Sequence, residues 1–347
     1  MSDQRPITII GGGLAGLTLG IGLRRRGVPV TLCEAGAYPR HRVCGEFISG
    51  RGQATLARLG LQERLLAAGA RPATTAMFFS ESRTSNVKRL PEPALCISRF
   101  QLDGLLAFEF RALGGDLIEN HRHKQTGAQE GHVRATGRRS QPVDRGWRLF
   151  GLKIHAHHIA LEADLEMHLT RNGYVGLSRL SEDLVNVCGL FRSRTTQPDL
   201  ATEWGSWLGG QPGSRLRDRL AKASFVEASF CSVAGIALRP QKALKQDEWC
   251  VGDAITMIPP VTGNGMSMAF ESAELALEPL HAYSQGRMSW QNAQQQAARR
   301  CDEAFARRLT GSSFLQTAVF SPAWRWLLIS LVGRWPLVWR LLFKDTR

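Results

Sequence analysis

Three glycines open the chemistry of this chain. Gly11-Gly12-Gly13-Leu14-Ala15-Gly16 carries the spacing Gly-x-Gly-x-x-Gly. Gly11 suits a tight turn, Gly13 lets the backbone come against a pyrophosphate, and Gly16 lets a helix pack closely on a strand. Leu14 and Ala15 lead into a helix whose N-terminus aims free N–H groups at phosphate charge. The surroundings are those the motif requires. Residues 6–10 form a β-branched run that reads as a buried strand, 17–26 read as a helix closed by Gly27, and 28–32 read as a second strand leading to Glu34 and Ala35. An acid there accepts hydrogen bonds from an adenosine ribose. Glu34, rather than a base, fits a free 2′-hydroxyl, hence FAD or NAD and not NADP.

A second constellation lies far downstream. Trp249-Cys-Val-Gly252-Asp253, then Pro259-Pro260, then Gly263-Asn264-Gly265-Met266 read as strand, loop and helix. A plain NAD-binding unit has no use for it. Asp253 can accept a polyol hydroxyl, the prolines stiffen the loop, and Gly263 and Gly265 let backbone approach a ring. The helix dipole from Met266 onward favours negative charge at that ring.

With both stretches in view, the chain resembles FAD-dependent oxidoreductases of the geranylgeranyl reductase / p-hydroxybenzoate hydroxylase-like superfamily over roughly residues 6–285. The resemblance implies FAD as cofactor, with Gly252 and Asp253 against the ribityl chain and the Pro260–Met266 loop facing the pyrimidine end of the flavin. Arg40-His-Arg42-Val-Cys44-Gly45-Glu46-Phe47 corresponds to the family's basic-x-Cys-Gly segment, which enters the flavin pocket. Arg42 is then a pyrophosphate partner, and Cys44 and Gly45 lie near the reactive edge. Glu46 is a proton donor or substrate anchor. Arg40 and Arg42 are expected to lower the Cys44 pKa; the plainer reading is a small buried thiol. Ser98-Arg99 begins a long helix in which Arg99 matches an FAD-contacting arginine, or is simply a solvated one. The chain departs from the pattern at Thr136, in Arg134-Ala-Thr136-Gly137-Arg138-Arg139-Ser140, where the family has an aspartate. In aromatic hydroxylases that aspartate helps hold FAD and NADPH, so its loss counts against NADPH use by that route.

From 147 to 190 the pattern becomes alternating strands, at 149–155, 165–169, 173–177 and 184–190, which read as an antiparallel sheet roofing the flavin. Lys153 and His155 share one face. Either that face looks into a cavity, making them an anion anchor and a proton-transfer group, or it is the polar outer face of a half-exposed sheet. Tyr174 and Trp147 line a pocket or belong to the core. Residues 201–224 read as one helix and 226–236 as a returning strand. The expected architecture is α/β (α+β): a discontinuous Rossmann-like FAD-binding domain (1–145 plus 235–285), an inserted antiparallel-sheet substrate domain (146–234) and a C-terminal helical, basic and aromatic segment (286–347).

Composition bounds the rest. The chain has 347 residues, 43% of them hydrophobic, and a formal charge of +14. That excludes a disordered or disulfide-stapled protein and suits an anionic partner. Seven scattered cysteines and nine histidines lack metal-site spacing, so free thiols in the cytosol and no metal are expected. The apolar run 7–23 carries six glycines and reads as structure rather than a leader. Residues 299–347 hold nine Lys/Arg against three Asp/Glu, interleaved with Trp and Leu. This tail is either a docking helix or a peripheral contact with the inner face of a membrane. The functional expectation is an FAD-dependent oxidoreductase acting on a lipophilic small molecule, a monooxygenase-type hydroxylase with NAD(P)H as external reductant. A flavin-dependent C=C reductase is the alternative. A non-catalytic flavin-binding or nucleic-acid-binding protein is distant, because no nucleic-acid-binding motif accompanies the charge.

Overall fold

The computed structural model describes residues 4–81, 83–124, 127–138, 143, 146–194, 199–321, 324–325, 330, 339–340 and 343. Arg139 and Ser140 of the basic stretch, and Trp326, Arg334 and Trp335 of the tail, lie outside them. In chain order the first strands are β1 (Ile7–Ile10), β2 (Val30–Cys33), β3 (Phe47–Ile48), β4 (Arg71–Phe79), β5 (Lys88–Cys96), β6 (Asp116–Ile118) and β7 (His132–Arg134). There follow β8 (Arg148–His157), β9 (Leu165–Thr170), β10 (Gly173–Arg179), β11 (Val185–Ser193), β12 (Ser224–Ala234) and β13 (Trp249–Cys250). The helices are α1 (Leu14–Arg24), α2 (Arg51–Arg58), α3 (Gln62–Ala67), α4 (Arg99–Ala112), α5 (Trp204–Leu208), α6 (Arg215–Leu220), α7 (Gly265–Ser284) and α8 (Trp290–Phe320).

Two sheets carry the architecture. The first is wholly parallel, in the order β13-β7-β1-β2-β6. Its centre is β1, whose Ile7 and Ile9 are fully buried. Every residue of α1 from Leu14 to Leu23 is buried, because the helix runs between this sheet and helices α4 and α7. Each Leu or Ile buried there contributes about 1.5–3 kcal/mol. Ser98 caps α4 by accepting from the Gln101 N–H at 3.2 Å.

The second sheet has the order β12-β8-β11-β10-β9-β4-β5-β3. The strands expected from 149 to 190 and the returning strand pair antiparallel, as read; the sheet continues beyond them through β4, which runs parallel to β9, and then β5 and β3. Three of its strands come from residues 47–96, which the sequence division grouped with the FAD-binding part. The helix expected over 201–224 is two short ones, α5 and α6, because Gly209, Gly210, Pro212 and Gly213 interrupt it. The returning strand occupies 224–234. Among the described residues no helix is long and apolar enough to cross a membrane.

Helix α8 is tied to α7 by a buried, two-pronged ion pair, Arg308 Nη1 and Nη2 to the Glu271 oxygens at 2.6 and 2.7 Å. Removing one partner of such a pair strands a charge without water. Arg308→Ala is therefore expected to destabilise the protein by about 3–5 kcal/mol, measured as a fall in denaturation midpoint. The paired Arg308→Met/Glu271→Leu variant is expected to recover most of that loss.

Candidate active site

The glycine turn is built from the inside. Gly11 adopts φ +108°, and a side chain on it would collide with the Ala135 carbonyl; one on Gly16 would collide with the Gly11 carbonyl. Gly13 is different. A Cβ there meets nothing within 4 Å, and α1 begins beside it with no side-chain cap and no acid in its first turn. Gly11 and Gly16 thus serve chain packing, whereas a side chain on Gly13, beside the uncapped start of α1 at Leu14 and Ala15, would enter open space.

Glu34 braces that turn. Its Oε2 accepts from Gly12 N at 2.7 Å, and its Oε1 accepts from Gly36 N at 2.9 Å and Arg40 Nη1 at 2.5 Å. Burial pushes this carboxyl up, but the hydrogen bonds from Arg40, Gly36 and Gly12 outweigh it and hold it at about 2. The expected ribose acceptor already receives three bonds from its own chain. A carboxylate offers about four acceptor positions, which leaves one for a ribose hydroxyl. Ala35 lies beside it, exposed.

The late Gly-Asp meets the early turn. Gly252 adopts φ +63°, and a Cβ there would lie 2.8 Å from that of Ala15. Val251 N donates to Arg134 O at 3.0 Å and Gly252 N to Ser272 Oγ at 2.8 Å, fixing the approach. Burial pushes Asp253 up to about 6, against the pull of Arg99 and Arg138. Beyond it Pro260–Thr262 form one 3-10 turn ended by Gly263 at φ +65°, against which the Phe47 ring packs. Asn264 and Gly265 then lead Met266 into α7, whose first turn holds no acid.

The segment 41–47 lies across the inner face of the second sheet. Val43 packs on Gly151, Asn186 Nδ2 donates to Cys44 O at 3.0 Å, and Ser178 Oγ donates to Gly45 O at 2.7 Å. Glu46 takes φ +56° and turns its side chain into the protein, where it is fully buried. Its Oε1 accepts from Arg99 N at 2.8 Å and lies 3.4 Å from Lys153 Nζ; its Oε2 lies 2.6 Å from His155 Nε2. Lys153 Nζ also donates to His41 Nδ1 at 3.1 Å. Burial, then Lys153 and His155, lowers His41 to about 4, so its ring is neutral near pH 7 and free to accept.

The face shared by Lys153 and His155 is therefore neither solvated nor open to a cavity, because the loop's own carboxylate covers it. Cys44 is corrected as well. Burial raises its thiol against the opposing pull of Arg99, so Arg40 and Arg42 do not make it a thiolate. Arg99 is not solvated; it grips Asp103 through two bonds of 2.6 and 2.8 Å and faces Cys44. Arg42 has no acidic partner among the described residues. Thr136 accepts from Arg134 Nε at 3.1 Å.

Next to Gly45 is an apolar cavity of about 150 Å³. Its walls come from Gly45 and Phe47, from the late loop (Val261, Thr262), from β4, β9 and β10, and from Leu315 and Val319 of α8. Trp339 and Phe343 of the tail close it, with Trp339 Nε1 donating to Arg89 O at 2.9 Å. Cys44, Glu46, Lys153 and His155 are gathered beside this space but do not line it. Sequence reasoning missed the lining residues, whose only signal was apolar character spread over distant segments. Tyr174 belongs to the core and Trp147 is half-buried outside the cavity.

These features fit FAD: an open glycine at an uncapped helix, an arginine, Arg42, with no acidic partner among the described residues, and a second strand–loop–helix abutting the turn. They define a site for a flavin dinucleotide. Residues 4–145 match the family model of the FAD binding domain. No curated protein matches the chain in sequence. Among solved structures it is similar to PqsL of Pseudomonas aeruginosa, in complex with 2-aminobenzoylacetate (14% identity, 92% of this chain and 97% of that one, TM-score 0.70). It is also similar to the myxobacterial chondrochloren halogenase CndH (21%, 91% and 82%, 0.70). A geranylgeranyl bacteriochlorophyll reductase-like protein of Thermoplasma acidophilum is a third (17%, 95% and 91%, 0.70). At these identities the likeness is one of fold.

Two predictions follow from the cradle. Gly13→Val is expected to fold normally yet purify without flavin absorbance, whereas Gly11→Val is expected to lower the melting temperature itself. Asp253 has a folded pKa above its ordinary 3.8, so its contribution to stability is intact below about pH 4 and lost as pH rises through about 6. In FAD-stripped protein, Asp253→Asn should match wild type below about pH 4 and exceed it above about pH 6, by roughly 1–3 kcal/mol. Equal pH profiles in thermal melts would show that burial does not set this group.

Proposed function

We propose that this chain is an FAD-dependent monooxygenase that hydroxylates a lipophilic small molecule. The observation that carries the reading is the apolar cavity beside Gly45 and Val261, on the two loops that would face bound flavin. A cavity with this lining holds an uncharged ring or alkyl chain and excludes water. Bound FAD supplies the electrons that activate dioxygen. Of the two oxygen atoms, one enters the substrate and the other leaves as water, with two electrons from NAD(P)H and a proton. Gly45 and Thr262 position the substrate through main chain and hydroxyl. The Glu46, Lys153 and His155 group, fully enclosed, holds the 41–47 segment against the second sheet, where it would border bound flavin. Thr136 in place of an aspartate suits a reductant that acts without a dedicated pocket. PqsL, described as a probable FAD-dependent monooxygenase, supports the reading by fold.

One observation favours a second reading. Cys44 keeps its proton, which is what reduction of a carbon–carbon double bond requires of a donor. The free thiols support a reducing compartment, and the proposed location is the cytosol.

Turnover of candidate apolar substrates under isotopically labelled dioxygen separates the two. Label in the product and no anaerobic turnover are expected. Anaerobic saturation of an alkene, lost in Cys44→Ala, would replace the hydroxylase with a reductase.

A further inference from the structure

Three arginines crowd one end of the second sheet with no carboxylate in ion-pair reach among the described residues. The Arg192 guanidinium carbon lies 4.2 Å from the Trp147 ring centre and 4.5 Å from that of Phe320, and Nη2 donates to Phe320 O at 2.7 Å. Arg194 stacks on Trp147 at 4.4 Å. Arg325, only 8% exposed, donates to Thr170 O at 2.5 Å and Arg171 O at 3.2 Å. After burial, Arg325 and Arg194 are the like charges that act on Arg192. Among the described residues none has an ion-pair partner, and the carboxylate felt by Arg325, that of Glu81, stands beyond ion-pair reach.

Two donors are left over. Arg192 Nε and Arg325 Nε are buried and have no acceptor. Buried donors of like charge, without acceptor or counter-charge, are costly. Stacking on aromatic faces holds such guanidinium forks in fixed orientation, the arrangement that grips a phosphate. The neighbouring residues narrow the source of that phosphate. Trp324, 51% exposed, precedes Arg325 and meets Phe314, 59% exposed, edge to face at 6.2 Å. Exposed Trp and Phe beside unbalanced arginine are the composition of a bilayer interface.

We propose that Arg192, Arg194 and Arg325 form a site for the phosphate of an anionic membrane lipid, with Phe314 and Trp324 entering the interface beside it. The site goes beyond the oxidoreductase reading and does not depend on it. It adjoins the apolar cavity, since Phe320 follows the cavity residue Val319.

Flotation of the full-length, FAD-loaded protein on phosphatidylcholine vesicles, with and without phosphatidylglycerol, tests it. Binding is expected only with phosphatidylglycerol. It should be released by salt as the screening length falls from about 10 Å at 0.1 M to about 3 Å at 1 M. Arg194→Gln, at an exposed position without hydrogen bonds, should weaken partitioning about fivefold, and Phe314→Ser/Trp324→Ser should weaken it at all salt concentrations. Unchanged melting temperature and flavin content keep these variants interpretable. Failure of the wild type to float, equal binding to neutral vesicles, or wild-type binding by Arg194→Gln overturns the proposal. Thermal stabilisation by inorganic phosphate with no flotation assigns the arginines to a soluble anion and equally overturns it.

Discussion

A carboxylate with no access to water fixes this molecule's working parts. Glu46 is fully buried and held in a left-handed backbone conformation, so it persists only because Lys153, His155 and the Arg99 N–H meet it from three sides. Those partners belong to different units: β8 of the second sheet supplies two, and the start of α4, beside the parallel sheet, supplies the third. One side chain therefore clamps the 41–47 segment to both sheets at once. Removing the carboxylate would leave Lys153 enclosed without a counter-charge, and the segment would lose its register against the flavin crevice. Burial of charge here is a device for position rather than for net stability.

Everything adjacent inherits that position. Gly45 is held by Ser178 on one side and borders the cavity on the other. Phe47 pairs with β5 through its backbone, packs on Gly263 through its ring, and lines the cavity as well. The two candidate flavin loops and the apolar cavity are thus set by a few contiguous residues.

The glycine turn and the late Gly-Asp loop were legible in the sequence because each residue's demand is local: a turn, a close approach, a helix start. Their meeting at Ala15 and Gly252 was implied only by two motifs that need the same ligand. Strand alternation showed that Lys153 and His155 share a face, but a period of two cannot say what covers it. The cover is a loop more than a hundred residues earlier, a contact with no local signal. The same limit applies to β3, β4 and β5, whose pairing into the second sheet, including the parallel β4–β9 contact, is set by tertiary packing. Cys44 misled because neighbouring arginines in sequence were weighed above burial, which dominates in the folded chain.

Trp339 and Phe343 complete the cavity wall, although every residue of the nucleotide cradle precedes Ser284. During synthesis from the N-terminus, the crevice for the dinucleotide can therefore assemble while these two aromatics are still inside the ribosome. The order of the polypeptide thus puts the walls of the nucleotide crevice before the last walls of the apolar chamber. A chain ending before Trp339 would leave that chamber open on one side.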